Sequence, residues 1–263
     1  MKKLIPLSLF FLFLMACKND PKQENTKEEI TTTDLVTEKV MKRSTDYTNC
    51  EAVKCPSIDV AYYNFKGTEN TEALNQRNQA FLAKVIYTNQ ETGESPETID
   101  EAIDKFINDY HKFKQDFPES SAEYELMIDQ HLKEENKNKL VIETKSYTYM
   151  GGAHGYGATH FSTFDKKDGH FIEKEEMITD IQGFTREIEN IFRKKKGISP
   201  KESLNARGYF FEDDQFVLPE NMAITKDSVH LMYNPYEIAA YAEGQIKMVV
   251  PTAQLQKFLK NEE

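Results

Sequence analysis

The chain has 263 residues, 39% of them hydrophobic, which is enough for one large or two small domains with cores of their own. Its formal charge of -11 argues against nucleic acid, where basic patches supply most of the affinity. The same charge argues against electrostatic docking on anionic lipid head groups.

The N-terminus reads as an address. Lys2 and Lys3 precede an apolar run over residues 4–15, broken only by Pro6 and Ser8. The run is shorter than the roughly 20 residues of a membrane-spanning helix and has the dimensions of a secretory signal. It ends in Leu14-Met15-Ala16-Cys17, which resembles a bacterial lipobox. Cleavage after residue 16 makes Cys17 the lipid attachment point, with acyl chains such as palmitate anchoring the chain at about 0.8 kcal/mol per buried methylene. The competing reading is an ordinary cleaved signal with an incidental cysteine. Loss of Lys2 and Lys3 with the signal leaves the mature chain more acidic still. Residues 17–33 are polar and charged, with no large aromatic, and are expected to form a flexible tether. Lys18 rather than an aspartate follows the cysteine. In a Gram-negative host the lipobox resemblance then implies the outer membrane, with either face open.

Cys50 and Cys55, in NCEAVKCP, are the remaining cysteines. In an exported protein they are expected to form a disulfide, worth only about 2 kcal/mol for so small a loop. A zinc site needs two more ligands, and no further His or Cys lies near in sequence. Redox motifs usually separate the thiols by two residues rather than four. No metal and no cofactor is expected.

A ragged first strand covers residues 35–41, and a stronger one covers 58–65, ended by Gly67. From Thr68 the period becomes helical, with Leu74, Phe81, Leu82, Val85 and Ile86 on one face. Thr92-Gly93 punctuates. Ser95 and Pro96 then read as the N-cap and first residue of a second helix. Its core stripe is Ile99, Ile103, Phe106, Tyr110 and Phe113, and it should stop before Pro118. A strand is expected over 121–134.

The stretch over 139–172 organises the rest. Leu140, Ile142 and Thr144 alternate with Val141, Glu143 and Lys145, as in a strand, and Thr159, Phe161, Thr163 and Phe164 suggest a second. Between them Gly151, Gly152, Gly155 and Gly157 make a shaped connection, and Asp168-Gly169 closes the next hairpin. Gly151, Gly152, His154, Tyr156 and His160 form the candidate binding loop, because loops on a rigid sheet commonly carry recognition. The plainer alternative is that the glycines only allow close packing of the turn. His154, His160, Asp165 and His170 form a set able to ligate zinc, but no HExxH spacing, GxSxG elbow, P-loop or dinucleotide fingerprint occurs. No catalytic residue is assigned.

A third helix is expected over 179–196, with Phe184, Ile188, Ile191 and Phe192 inward. Its basic end, Arg193-Lys194-Lys195-Lys196, reads as solvated and suits the helix dipole. Residues 203–219 read as irregular. Strands over 222–233 and 245–250 pair around Asn234-Pro235-Tyr236, and a short helix after Pro251 carries Leu255, Phe258 and Leu259. The pattern makes an α+β fold, mainly antiparallel sheet with about three packed helices.

YTYMGGAHGYGATHFSTFD and the downstream NPYEIAAYAEGQIKMVVP together resemble a family of extracytoplasmic domains. That family is shared by the lysozyme-receptor anti-sigma factor RsiV and the peptidoglycan deacetylase PdaC. The resemblance covers the second half of the chain and, more loosely, residues 50–89. It implies a PdaC-like N-terminal module over 34–89 and an RsiV-like C-terminal domain over 90–263, with the question of one body or two left open. It also implies binding rather than turnover, since the family has no established catalytic chemistry in this domain. The expected function is a non-catalytic, lipid-anchored cell-envelope module that binds a lysozyme-type protein or peptidoglycan. The competing expectation is a cell-wall-active hydrolase or deacetylase accessory with an unrecognised site.

Overall fold

The structure, a computed structural model, describes residues 35–50, 54–67 and 70–260. Cys17, the signal sequence and the tether lie outside the described residues. Thr33–Glu263 cluster as one compact unit.

Five strands are hydrogen-bonded in chain order: β1 (Val36–Arg43), β2 (Ser57–Lys66), β3 (Glu125–Glu135), β4 (Lys139–Tyr149) and β5 (Tyr156–Asp165). All neighbours are antiparallel except β2 and β3. A parallel pair needs a long crossover, and α1 (Thr71–Ile86) and α2 (Ile99–Asp116) supply it. Both helices lie on one face, where Leu82, Ile86, Ile103, Phe106 and Tyr110 pack against Ile58, Val60, Leu126 and Ile128. Phe106 and Leu82 are fully buried, and each such side chain contributes about 1.5–3 kcal/mol.

The start of α2 departs from expectation. Thr98 caps the helix, accepting from the Glu101 N–H at 3.3 Å, and the first helical residue is Ile99. Ser95 is occupied elsewhere: its hydroxyl bonds the Thr88 hydroxyl at 2.9 Å and holds the preceding turn.

The β2–β3 ladder ends at Ala61 and Asp129, and side-chain amides take over beyond it. The Tyr63 N–H donates to Gln130 Oε1 at 2.9 Å, and Asn78 Nδ2 donates to the Tyr63 carbonyl at 2.9 Å. Asn75 serves both backbone groups of Phe65, at 2.8 and 2.9 Å. Buried backbone groups demand partners, and α1 provides them where the strands part.

A second, antiparallel sheet holds β6 (Met222–Ile224), β7 (Ser228–Tyr233) and β8 (Ile246–Pro251). The single turn α3 (Lys174–Met177) precedes α4 (Ile181–Lys196), and α5 (Thr252–Leu255) follows β8. Phe184, Ile188 and Phe192 of α4 share a core with Leu231, Met248 and Val250. The single strand expected over 222–233 is two: the Thr225 N–H donates to the Ser228 carbonyl at 2.9 Å, and the chain reverses between them. The basic end of α4 is not simply solvated. Arg193 donates to the Glu202 carbonyl at 2.7 Å and Lys195 to the Lys247 carbonyl at 2.7 Å, which fastens the helix end to its surroundings.

The fold is α+β and mainly antiparallel, as expected. No helix among the described residues is long and apolar enough to cross a membrane.

Candidate binding site

The loop joining β4 to β5 owes its path to glycine. Gly151 and Gly152 have φ of 84° and 90°, a region closed to most side chains. The Tyr149 hydroxyl donates to the Gly152 carbonyl at 3.1 Å. Gly155 is required for space, because a Cβ there would sit 2.3 Å from the Tyr147 hydroxyl. Tyr156 already belongs to β5, paired with Thr148.

The chain after β7 rises beside this loop. Tyr236, at φ 73°, is one of few non-glycine residues with positive φ, and it is 57% exposed. Tyr241 donates its hydroxyl to the Gly155 carbonyl at 2.7 Å. Its ring stacks on His154 with centroids 3.8 Å apart and planes 15° apart. The Tyr236 ring lies 5.4 Å from that of Tyr241, tilted by 34°. Tyr156 donates to the Pro235 carbonyl at 3.4 Å and stays 40% exposed. His154, Tyr236 and Tyr241 thus form an aromatic stack at the surface, with Tyr156 beside it. Glu237 borders it, its carboxyl pushed up by burial.

Of the five residues expected in the binding loop, Gly151, Gly152 and His154 lie in it. Tyr156 lies at the start of β5 and still reaches the patch. His160 does not: it sits within β5, its ring edge-on to Phe81 of α1 at 5.8 Å. It shares the strand face of Tyr156 but lies four residues further along β5, about 13 Å away, opposite Thr144. Burial holds its imidazole below the ordinary range. Tyr236 and Tyr241 are the residues that sequence reasoning missed. NPYEIAAYAEG contains them, but it reads locally as a turn.

The three histidines weighed as zinc ligands go to separate neighbourhoods. His154 stacks on Tyr241, His160 meets Phe81, and His170 bonds Asp168 at 2.6 Å and Glu176 at 3.3 Å. Cys50 and Cys55 form the expected disulfide. A cavity of about 550 Å3 opens at the other end of β4, bounded among others by Glu134, Lys139, Ile172, Met177, Ile224 and Leu259. Its buried Lys139 is committed to the fold, donating to the Ile224 carbonyl at 2.8 Å.

Residues 42–156 match the family model of the deacetylase PdaC, a stretch running from within β1 to the start of β5. Residues 172–253 match that of DUF3298, a family of unknown function. The peptidoglycan-N-acetylmuramic acid deacetylase PdaC of Bacillus subtilis is 22% identical over 176 residues, 63% of this chain and 37% of that protein. This chain therefore spans little more than a third of that relative. A DUF3298 family member from Bacteroides fragilis has a TM-score of 0.60 at 19% identity, covering 87% of this chain and 94% of its own. A DUF3298 family protein from Pseudomonas aeruginosa PAO1 has a TM-score of 0.57 at 18% identity, covering 86% and 93%. At these identities the likeness is one of fold. The two matches fall in the order that the sequence resemblance implied, a PdaC-like stretch followed by a C-terminal stretch similar to DUF3298.

Proposed function

We propose that this protein is a non-catalytic binding module of the cell envelope, anchored through lipid on Cys17. Its aromatic patch engages a cell-wall-associated partner, either a lysozyme-type protein or peptidoglycan. The observation that carries the reading is the His154–Tyr241 stack, which brings two distant stretches into one exposed surface. Tyrosine and histidine rings offer large contact area at small cost in side-chain entropy. The acidic chain attracts a basic lysozyme-type enzyme at long range, an effect that raises encounter rate and fades with salt. The relative named for peptidoglycan deacetylation points to the cell wall as the setting. That likeness also favours the second reading, a cell-wall-active hydrolase or deacetylase accessory with an unrecognised site. In a Gram-negative host the anchor places the protein at the outer membrane.

The test is retention of the detergent-released protein on immobilised lysozyme and its co-sedimentation with purified sacculi, each at low and physiological salt. Binding to neither at low salt overturns the reading. Sacculi that lose acetyl groups or release fragments on incubation favour the accessory role.

A further inference from the structure

We propose that the Cys50–Cys55 disulfide is a thiol-exchange site for a protein dithiol reductant, with Cys55 as the leaving thiol and His111 as the residue that supplies its proton. The inference is independent of the aromatic patch and its partner.

The bridge closes a loop of small span, with a sequence separation of 5. The chain-entropy gain for such a loop is only about 2 kcal/mol. The same segment is held by other means: the Tyr47 hydroxyl donates to Asp100 at 2.8 Å and Ser44 to the Pro56 carbonyl at 2.6 Å. The fold can therefore survive opening of the bridge. Cysteine spacing argued for a plain staple, but α2 adds a group that the local motif does not contain. His111 places Nε2 at 3.7 Å from Cys55 Sγ, across 56 residues of chain.

A protonated His111 is the cation that favours a thiolate at Cys55, because the lysines nearby are spent on a carboxylate. Lys54, from the bridge's own loop, and Lys114, from α2, both reach Glu123, at 2.8 and 3.3 Å. Glu123, from the segment before β3, also accepts from the Tyr110 hydroxyl at 2.6 Å. Those contacts, Lys54 first, hold its carboxyl down to about 2. A cavity of about 470 Å3 bounded by Lys54, Tyr110, His111, Lys114, Gln115 and Glu123 opens at this spot. The cavity opens on the His111 side of the bridge. A cation beside a sulfur stabilises the thiolate, and the thiol of lower pKa is the better leaving group.

The step balances as follows. One thiol of the reductant loses its proton to solvent and attacks Cys50 Sγ. The Cys50–Cys55 bond breaks, its electron pair goes to Cys55 Sγ, and His111 protonates that sulfur before recovering a proton from solvent. The second thiol of the reductant, deprotonated in turn, attacks the reductant's sulfur in the mixed disulfide. Cys50 leaves as a thiolate and takes a proton from solvent. The reductant departs as a disulfide, having given up two electrons and two protons.

The test uses Cys50→Ser, which leaves Cys55 as a free thiol. Its alkylation by iodoacetamide is followed across pH by mass spectrometry. The expected half-maximal reactivity lies about one pH unit below the ordinary thiol value of roughly 8.5, and His111→Gln returns it to that value. In the intact bridge, His111→Gln slows reduction by dithiothreitol about tenfold at pH 7. If Cys50→Ser does not fold, the alkylation profile of Cys55 is read by peptide mapping of the reduced native protein. A Cys55 that titrates as an ordinary thiol, or a His111→Gln variant with unchanged profile and rate, overturns the proposal and leaves a structural staple.

Discussion

Asn234 holds Thr159 by both ends of its amide. Oδ1 accepts from the Thr159 N–H at 2.9 Å and Nδ2 donates to the Thr159 carbonyl at 3.0 Å. Asn221 does the same work one step along, accepting from the Phe161 N–H at 2.7 Å and donating to the Thr159 carbonyl. β5 is the last strand of its sheet, and an edge strand presents unpaired backbone groups. Here two side-chain amides stand in for a missing strand and fix the second sheet against the first. Gln245 steadies the clamp, donating to Asn234 Oδ1 at 3.0 Å.

Asn234→Ala should therefore be costly. Asn234 is 5% exposed and Thr159 5% exposed, so the Thr159 N–H would lose its partner without gaining water. A stranded buried group costs about 1–3 kcal/mol. Denaturant unfolding should show a loss in that range, and the patch should loosen with it, since Pro235 and Tyr236 follow directly. A loss below half a kcal/mol would show that the clamp contributes little to holding the sheets.

The core stripe of α2 was legible because Ile99, Ile103, Phe106 and Tyr110 obey the helical period, and all four are buried. The strands around the glycine loop were legible for the same local reason. The parallel pairing of β2 with β3 was not, since two helices intervene and strand alternation carries no direction. Nor was the clamp: an Asn before Pro looks like a turn residue whatever its amide later grips. The Tyr241–Gly155 bond spans 86 residues, and no local pattern reports such a contact. His160 was misplaced for a simpler reason, that a glycine-rich run hid the start of β5 at Tyr156.

Gly155→Ala tests whether the loop must sit where it does. The new methyl group would lie 2.3 Å from the Tyr147 hydroxyl and 2.4 Å from the ring carbon that bears it, so the ring or the loop must move. Overpacking of this kind costs about 1–3 kcal/mol. The expected result is a lower melting temperature together with a changed His154 imidazole resonance, reporting a disturbed stack. An unchanged spectrum would mean that the Tyr147 ring swings aside freely.

Acid sensitivity should divide between histidines of opposite sign. Burial pushes His160 below its ordinary value of 6.5, and burial followed by Lys133 and Lys247 does the same to His230. The unfolded chain then takes up protons that the folded chain resists, so stability falls as pH drops below about 6.5 and levels off beneath the folded values. His170 behaves oppositely. Its hydrogen bond to Asp168 raises its pKa, so its contribution is complete below about 6.5 and is lost as pH rises through the folded value. His160→Gln should flatten the decline in melting temperature between about pH 7 and 5, and His170→Gln should steepen it. Parallel curves for both variants and the parent would refute the assignment.

The proposed anchor makes its own prediction. Acylated Cys17 should take up labelled fatty acid and carry the protein into the detergent phase, and Cys17→Ser should abolish both. Two acyl chains hold far better than one, so partial loss is not the expected outcome. Labelling that persists in Cys17→Ser would place the lipid elsewhere or remove the anchor from the account.

The patch offers the most direct contrast between recognition and support. Tyr236 is 57% exposed, and its ring touches Tyr241 only at 5.4 Å. Truncating it removes little from the core, so Tyr236→Ala should leave the melting temperature within a few degrees of the parent. If the stack is the contact surface, the same substitution should weaken binding to lysozyme or sacculi at least tenfold, about 1.4 kcal/mol, the scale of an aromatic anchor. Tyr156→Ala should also weaken binding, by less, because that ring is more shielded and its hydroxyl bonds the Pro235 carbonyl. Charge supplies the second axis. If the acidic chain steers a basic enzyme, raising salt should lower the association rate for parent and Tyr236→Ala alike, while the variant's defect appears in dissociation. Loss of binding with loss of stability in both tyrosine variants would make these residues supports of the loop, and the contact surface would have to be sought elsewhere.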